Sequence, residues 1–224
     1  ERFVPPPPST GRGNTLLATA RSMFREPIIA AVVIMQMMNS LSGQITYPVL
    51  PLYVQTLVSS AREASAATGM MLGATAAANA VAAVVLGRWA DRLGRRRVLL
   101  VCVSAASLFY FPQMLTRTPM ELLILRTIVG LAMGGVGPIA NSIIAERAPQ
   151  GSQGGLYGIS SSLNSLSGAL GPVVGTYLVT AWSIRSVFPV TGALLGLIVL
   201  MIALTTRSLD RPVATRVDRG PAKT

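Results

Sequence analysis

Long apolar stretches, each near or above 18 residues, recur about six times along the 224-residue chain. A helix of that length matches the ~30 Å hydrocarbon core of a bilayer, whereas a soluble core has no use for such repetition. Only 12% of the residues are charged, about half the ~25% typical of a soluble domain. The sequence therefore predicts an all-α membrane protein with six transmembrane helices. The predicted spans cover about residues 27–57, 64–86, 98–115, 120–145, 156–182 and 187–205.

The positions of the basic residues predict how these spans are oriented. The chain carries 19 Lys and Arg against 8 Asp and Glu, a net charge of +11. Fifteen of the cations lie before the first span, after the sixth, and in the second and fourth loops, whereas the other three loops together hold three. Loops rich in Lys and Arg stay in the cytoplasm. We therefore expect a multi-pass membrane protein with both termini in the cytoplasm.

The same distribution of cations predicts the partners of the chain. A nucleic-acid-binding protein gathers Lys and Arg into a patch on a polar surface, whereas here the cations are spread between apolar segments. We therefore expect the lipid bilayer, and not nucleic acid, as the partner.

The polar ends of the chain predict its domain organisation. Residues 1–26 include four consecutive prolines and have the composition of an extended linker. We divide the chain into a cytoplasmic linker (1–26), a six-helix transmembrane domain (27–206) and a basic cytoplasmic tail (207–224).

Enzymatic chemistry is not expected from this composition. The chain has one Cys and no His, and its few carboxylates are scattered. Metal sites and catalytic triads both need clusters of such residues. We therefore expect no enzymatic reaction, no cofactor and no metal site.

The loop after the second predicted span reads GRWADRLGRRR over residues 87–97. It resembles the cytoplasmic G-x-x-x-D-R-x-G-R-(R/K) signature of the major facilitator superfamily, which follows the second helix of a six-helix half. We expect Gly87 and Gly94 to allow a tight turn, Asp91 to cap a neighbouring helix, and the arginines to contact lipid headgroups. Such a loop can latch helices in one conformation and release them in another, whereas the alternative is an ordinary positively charged loop. The predicted latch residues are Gly87, Asp91, Arg92, Gly94, Arg95 and Arg96.

The fourth predicted span resembles the R-x-x-x-G-x-x-x-G helix of the same superfamily, a pattern implicated in proton coupling where it occurs in the first half. A charge about seven residues into a span is costly unless it faces protein or water. Arg126 is therefore a candidate functional charge, and the alternative is a structural role in which it snorkels outward or bonds to backbone carbonyls near the end of the span. Gly130, Gly134 and Pro138 recur every four residues and predict close helix packing.

The fifth predicted span resembles the G-x-x-x-G-P-x-x-G-G signature of drug–proton antiporters, with its first glycine spacing shortened. Pro172 removes a backbone donor and is expected to kink the helix, while the glycines offer a smooth face on which a gate can pivot. The alternative is close packing without a gating role. The predicted gate residues in this span are Gly168, Gly171, Pro172 and Gly175.

Polar side chains recur at helical spacing along the first predicted span, at Gln36, Ser40 and Tyr47. A stripe that faced lipid would not carry amides, so this face is expected to line a cavity. The alternative for each amide is a hydrogen bond to a neighbouring helix. The candidate substrate contacts are Gln36, Asn39, Ser40, Tyr47, Asn79, Asn141 and Asn164.

The order of these motifs is similar to the C-terminal six-helix half of bacterial multidrug or tetracycline-type efflux proteins, which are drug–proton antiporters. The resemblance implies two inverted three-helix repeats, alternating access, a hydrophobic or cationic drug as the small-molecule substrate, and a missing N-terminal six-helix half. The resemblance also implies the proton as coupling ion and the bacterial inner membrane as the location. All eight acidic residues fall in loops or at span ends, so we expect the proton carrier to lie in the missing half. The alternatives are transport of another solute such as a sugar, metabolite or siderophore, a homodimerising half-transporter, and an inactive truncated product.

Overall fold

The computed structural model describes residues 27–148 and 153–205, and every regular element within these ranges is helical. The predicted linker (1–26) and tail (207–224) lie outside the described residues. The α-helices are α1 (Pro27–Thr46), α2 (Val49–Gln55), α3 (Ala61–Leu93), α4 (Arg95–Tyr110), α5 (Pro119–Met133), α6 (Val136–Arg147), α7 (Gln153–Ala181) and α8 (Val187–Thr205). Two short 3-10 turns, Phe111–Leu115 and Ile184–Ser186, follow α4 and precede α8.

These helices form six segments, which we number in chain order. Segment 1 contains α1 and α2, segment 2 is α3, and segment 3 is α4 with its 3-10 turn. Segment 4 contains α5 and α6, segment 5 is α7, and segment 6 is α8 with the turn before it. The six segments correspond one to one to the six predicted spans.

Two of the segments are interrupted. In segment 1, α1 ends at Thr46 and α2 begins after Pro48, because proline has no N–H with which to continue the helical hydrogen bonds. In segment 4 the interruption lies at Gly134 and Gly135, between α5 and α6, where the sequence predicts a single continuous helix. Both interruptions fall where polar and small residues of the predicted site are found.

Five segments are long and apolar enough to cross a membrane. They are Ile28–Gln55, Ala61–Leu93, Arg95–Leu115, Pro119–Arg147 and Ile184–Leu204. Segment 5, at 29 residues, has a length of about 44 Å, but five serines and an asparagine lie between residues 160 and 167 and make it less apolar. Five of the six predicted spans are therefore helices that are long and apolar enough to cross a membrane, and a membrane crossing by segment 5 stays a prediction.

The segments pack in a regular pattern. Segment 1 packs on segments 5 and 6, segment 4 packs on segments 2 and 3, segment 3 also packs on segment 6, and segments 1 and 4 touch. If segment 1 is exchanged with segment 4, segment 2 with segment 5 and segment 3 with segment 6, the list of contacting pairs stays the same. Two equivalent pairs result, segments 1 and 5 on one side and segments 4 and 2 on the other.

Polar contacts mark the two ends of the bundle. At one end the Tyr53 hydroxyl donates to the Thr116 carbonyl at 3.0 Å, and the Tyr53 ring meets Phe188 edge-on with 4.9 Å between centroids. At the opposite end Arg95 pairs with Glu146. Association of helices in lipid depends on packing and hydrogen bonds rather than on a hydrophobic driving force, so these contacts help to hold the segments together. We call the two ends the Tyr53 end and the Arg95 end.

Candidate functional site

Two adjoining cavities lie between the segments and share Asn39 and Ser40 in their walls. The first, about 380 Å³ in volume, is lined from segments 1 to 4 and 6 and includes Tyr47, Asn79 and Arg126. The second, about 510 Å³ in volume, is lined from segments 1, 4 and 5. The structure thus brings the residues of the polar stripe to cavities, and it adds asparagines from three other segments. The predicted contacts found in the second cavity are Gln36, Asn39, Ser40, Asn141 and Asn164.

All seven predicted substrate contacts therefore line one cavity or both, although binding by them stays a prediction. Two of the amides, Gln36 and Asn141, also form the interhelical hydrogen bond that was the alternative to binding substrate. Gln36 donates through Nε2 to the Asn141 Oδ1 at 2.9 Å and accepts a hydrogen bond from the Ser160 hydroxyl. Tyr157 donates to the Asn141 carbonyl at 3.0 Å. This network links segments 1, 4 and 5 at the wall of the second cavity.

Ser160 and Tyr157 are site residues that sequence analysis missed. The only sequence signal for them is their place on a polar, serine-rich helix, which does not distinguish them from their neighbours. By contrast Asn164, which was predicted, has a buried Oδ1 with no hydrogen-bond partner among the described residues. It offers a free acceptor to whatever enters the second cavity.

Among the described residues, Arg126 is the one charged side chain in the walls of these two cavities. It lies in the second turn of α5 and is only 8% exposed, so the alternative of outward snorkelling is wrong. Its Nε and Nη2 atoms have no hydrogen-bond partner among the described residues, although Tyr110 lies close enough to interact with the guanidinium. A buried guanidinium with unused donors is a strong site for an oxygen acceptor.

The glycines of segment 4 lie at the closest approach to segment 2. A Cβ on Gly130 would lie 2.6 Å from the Thr75 carbonyl oxygen. One on Gly134 would meet the Asn79 carbonyl oxygen and lie 2.7 Å from the Ala82 Cβ. These contacts are what the four-residue spacing predicts. Pro138, the third member of the repeat, lies in the first turn of α6, where its missing N–H breaks no helical bond.

The glycines of segment 5 make the equivalent contact with segment 1. A Cβ on Gly171 would lie 2.8 Å from the Gln44 carbonyl carbon, and one on Gly175 would lie 2.5 Å from the Ile45 carbonyl oxygen. Gly168 differs, because its Cβ would lie at an ordinary 3.9 Å from the Gln44 side chain. The helix continues through Pro172 as one element.

The predicted latch contains one tight turn, at Gly94. Gly94 alone connects α3 to α4 and has a φ of 94°, a conformation that other residues rarely adopt. The next residue, Arg95, donates to both carboxylate oxygens of Glu146, and the distance from Arg95 Nη2 to Glu146 Oε1 is 2.7 Å. The same Nη2 atom lies 3.7 Å from the Asp91 Oδ1. Arg96 donates to the Ala203 carbonyl at 3.1 Å. This loop therefore joins the ends of segments 2, 3, 4 and 6.

Two expectations for this loop need correction. Gly87 is not in a turn but inside α3, with open space around it, because the helix continues to Leu93 instead of ending at residue 86. Asp91 does not cap a helix; its side chain is exposed and faces Arg95 one turn away. Arg92 is exposed in the last turn of α3. The main carboxylate partner is Glu146, which sequence analysis did not single out.

Comparison with known proteins gives the family. The Major Facilitator Superfamily sequence model matches residues 32–223, most of the chain. The chain belongs to the major facilitator superfamily. It is thus a multi-pass membrane protein of a transporter family, as the loop and helix motifs implied.

Two groups of relatives within the superfamily are informative. The chain is 32% identical over 172 residues to the uncharacterized MFS-type transporter YuxJ of Bacillus subtilis, covering 77% of this chain and 44% of that protein. It is 34% and 28% identical to the multidrug resistance protein MdtG of Enterobacter lignolyticus and Klebsiella pneumoniae, covering 75% of this chain and 40% of each relative. The chain therefore matches less than half the length of these relatives.

Proposed function

We propose that this chain is one half of an efflux transporter for hydrophobic compounds, working by alternating access between two sides of the membrane. The observation that carries the proposal is the pair of adjoining cavities, whose walls together mix amide, hydroxyl and apolar side chains from all six segments. A cavity of several hundred Å³ with a few polar groups in an apolar wall is typical of small-molecule sites. The multidrug resistance relatives support efflux as the direction.

The packing of the segments supports the arrangement of a six-helix half in which all six segments, including segment 5, cross the membrane. The set of neighbouring segments is unchanged when the first three are exchanged with the last three. Because each set has an odd number of crossings, the two sets run in opposite directions, which is the arrangement of inverted repeats. The second six-helix half would then complete the cavities, in keeping with relatives more than twice as long as the matched region.

The charges support the direction in which the bundle is inserted. Six arginines within the described residues lie at the Arg95 end, against three in the loops at the Tyr53 end. The Arg95 end is accordingly assigned to the cytoplasm, together with both termini. The inner membrane of a bacterium is the expected location. The arginines at the Arg95 end are Arg88, Arg92, Arg95, Arg96, Arg97 and Arg147.

The distribution of carboxylates supports a proton carrier outside this bundle. Within the described residues the acidic side chains lie in the first or last turns of helices, and none lines either cavity. A proton-driven antiporter needs a titratable group inside the membrane. We assign that group to the half that this chain lacks.

The proposal is tested by accumulation measurements in bacteria that lack their major efflux pumps. Cells that express the intact transporter should retain several-fold less of at least one neutral or charged hydrophobic dye, and a protonophore should remove the difference. The Gly134→Leu variant, present in the membrane at equal abundance, is the inactive control because it forces segments 2 and 4 apart. Unchanged accumulation of every dye and unchanged drug tolerance would rule the proposal out.

A further inference from the structure

The first cavity contains a positive charge without a matching negative one. Arg126 is 92% buried, and its Nε and Nη2 protons meet no acceptor among the described residues. Within residues 27–148 and 153–205, no Asp or Glu lines either cavity. Burying a guanidinium to this degree costs free energy unless an oxygen acceptor pairs with it. An anion entering this cavity would therefore gain a charge-assisted bidentate contact, whereas a cation would be repelled.

The rest of the wall suits a molecule that is apolar apart from one anionic group. Leu72, Val129, Met133 and Leu195 supply apolar surface, while Asn79 and other polar residues lie at the same cavity. Flexible methionine and leucine side chains adapt to different apolar shapes. The volume of about 380 Å³ is in the range of pockets that hold small organic ligands.

We propose that the first cavity binds the carboxylate, or a similar singly charged oxyanion, of an otherwise hydrophobic molecule, with Arg126 as its counter-ion. The inference rests on the proposed transport function and adds a charge class to it. It differs from the cationic drugs implied by the resemblance. A carboxylate from another part of the intact protein has the same chemistry, and occupation by it is an outcome that the experiment distinguishes.

Binding of three matched probes to the intact transporter in nanodiscs tests the proposal. The probes are 2-naphthoate, the neutral 2-naphthamide and the cationic 2-naphthylmethylammonium, which share one apolar body. Titration calorimetry at low salt should give a Kd for 2-naphthoate at least tenfold lower than for 2-naphthamide, with the ammonium weakest. Equal affinities of the acid and the amide would overturn the proposal, and this is the result expected if a protein carboxylate already occupies Arg126.

Variants assign the preference to one side chain. In Arg126→Gln the acid should bind no better than the amide, while Arg126→Lys should keep part of the preference because it keeps the charge but not the forked geometry. The matched control is Arg62→Gln, which removes an exposed charge outside both cavities and should keep the full preference. A preference that survives in Arg126→Gln, or that disappears equally in Arg62→Gln, contradicts the assignment.

A second measurement keeps the test valid if Arg126→Gln does not fold. Asn79 is exposed at the mouth of the first cavity, and the native Cys102 is buried. In the Asn79→Cys variant, 2-naphthoate should slow thiol alkylation several-fold more than 2-naphthamide does. Equal protection by both would count against the proposal. Loss of the acid preference with dye efflux intact removes only this inference, whereas absence of dye efflux removes the proposed function.

Discussion

The two equivalent helix pairs are built from the same small-residue contacts but are held together differently. In the pair of segments 4 and 2, Gly130 and Gly134 lie against the backbone of α3. In the pair of segments 5 and 1, Gly171 and Gly175 lie against the backbone of α1. The glycines therefore lie in the second set of three in both pairs, on its first helix in one pair and on its second helix in the other, although the two pairs occupy equivalent places.

Hydrogen bonds across the contact distinguish the two pairs. Segment 5 donates to segment 1 twice, from Ser160 to the Gln36 side chain and from Ser167 to the Met37 carbonyl at 3.0 Å. Among the described residues, no side-chain hydrogen bond crosses between segments 2 and 4. Segment 4 is held instead at its end, where Glu146 pairs with Arg95 at the start of segment 3.

The difference indicates which pair can separate. Segments 1 and 5 are fixed along their length by shape and by buried hydrogen bonds, so separating them leaves polar groups unpaired in the membrane. Segments 2 and 4 depend on shape alone along their length. The exposed ion pair at the end of segment 4 joins it to segment 3, and water can replace it. A transporter that must open one end of a cavity would therefore move segment 2 against segment 4 at lower cost.

The largest expected effect comes from adding a methyl group at either glycine contact. Gly134→Ala and Gly171→Ala should each destabilise the intact protein by about 1–3 kcal/mol, because the new Cβ meets backbone that cannot rotate away. Thermal unfolding in detergent measures the loss. An equal loss of stability in the two variants would show that both helix pairs depend to the same degree on the close approach of their backbones.

Glycines of the same two helix pairs that lie outside the close contacts provide the controls. Gly168→Ala, one turn from Gly171, places its Cβ at 3.9 Å from the nearest atom, and Gly73→Ala on segment 2 has open space around it. Both should unfold at the temperature of the parent protein or slightly above, since alanine is the better helix former. If Gly168→Ala were as harmful as Gly171→Ala, close helix approach would not be the reason for the glycine motif.

A smaller effect is expected from the hydrogen bonds that only one pair has. Ser160→Ala leaves the Gln36 Oε1 without its donor, and should cost about 0.6 kcal/mol, with about 1.7 kcal/mol as the upper bound for such bonds in membranes. Ser162→Ala is the control, because its hydroxyl bonds only to the Gly158 carbonyl of its own helix. Chemical denaturation of the two variants, compared under identical conditions, separates them. Equal stabilities would mean that this network does not hold segments 1 and 5.

The sequence predicted the cavity residues better than the loop, and the reason is physical. A polar side chain in an apolar helix avoids lipid, so position on the helix is enough to place Asn39 or Asn79 at an interior wall. A glycine carries no such constraint: Gly87 and Gly94 look alike in sequence, and only the backbone shows that Gly94 alone has a positive φ. Glu146 lies 51 residues from Arg95, so no local spacing could pair them.

The smallest effect on stability is expected from the ion pair at the Arg95 end. Both side chains are partly exposed, so the pair contributes about 0.2–1 kcal/mol and less at high salt. Arg95→Glu and Glu146→Arg should each lower stability by more than Asp91→Asn, because Glu146 binds Arg95 through both oxygens whereas Asp91 lies 3.7 Å away.

The double variant Arg95→Glu with Glu146→Arg decides whether this contact acts as a latch. If the ion pair favours one conformation of segment 4, each single variant should slow dye efflux several-fold, and the exchange of both charges should restore much of the rate. Efflux in low and high salt measures the contribution of the charges, with membrane abundance as the control for insertion. Single variants that transport at the parent rate would mean that the charged end does not control the opening of segments 2 and 4. The contrast between the two helix pairs would then rest on the buried hydrogen bonds alone.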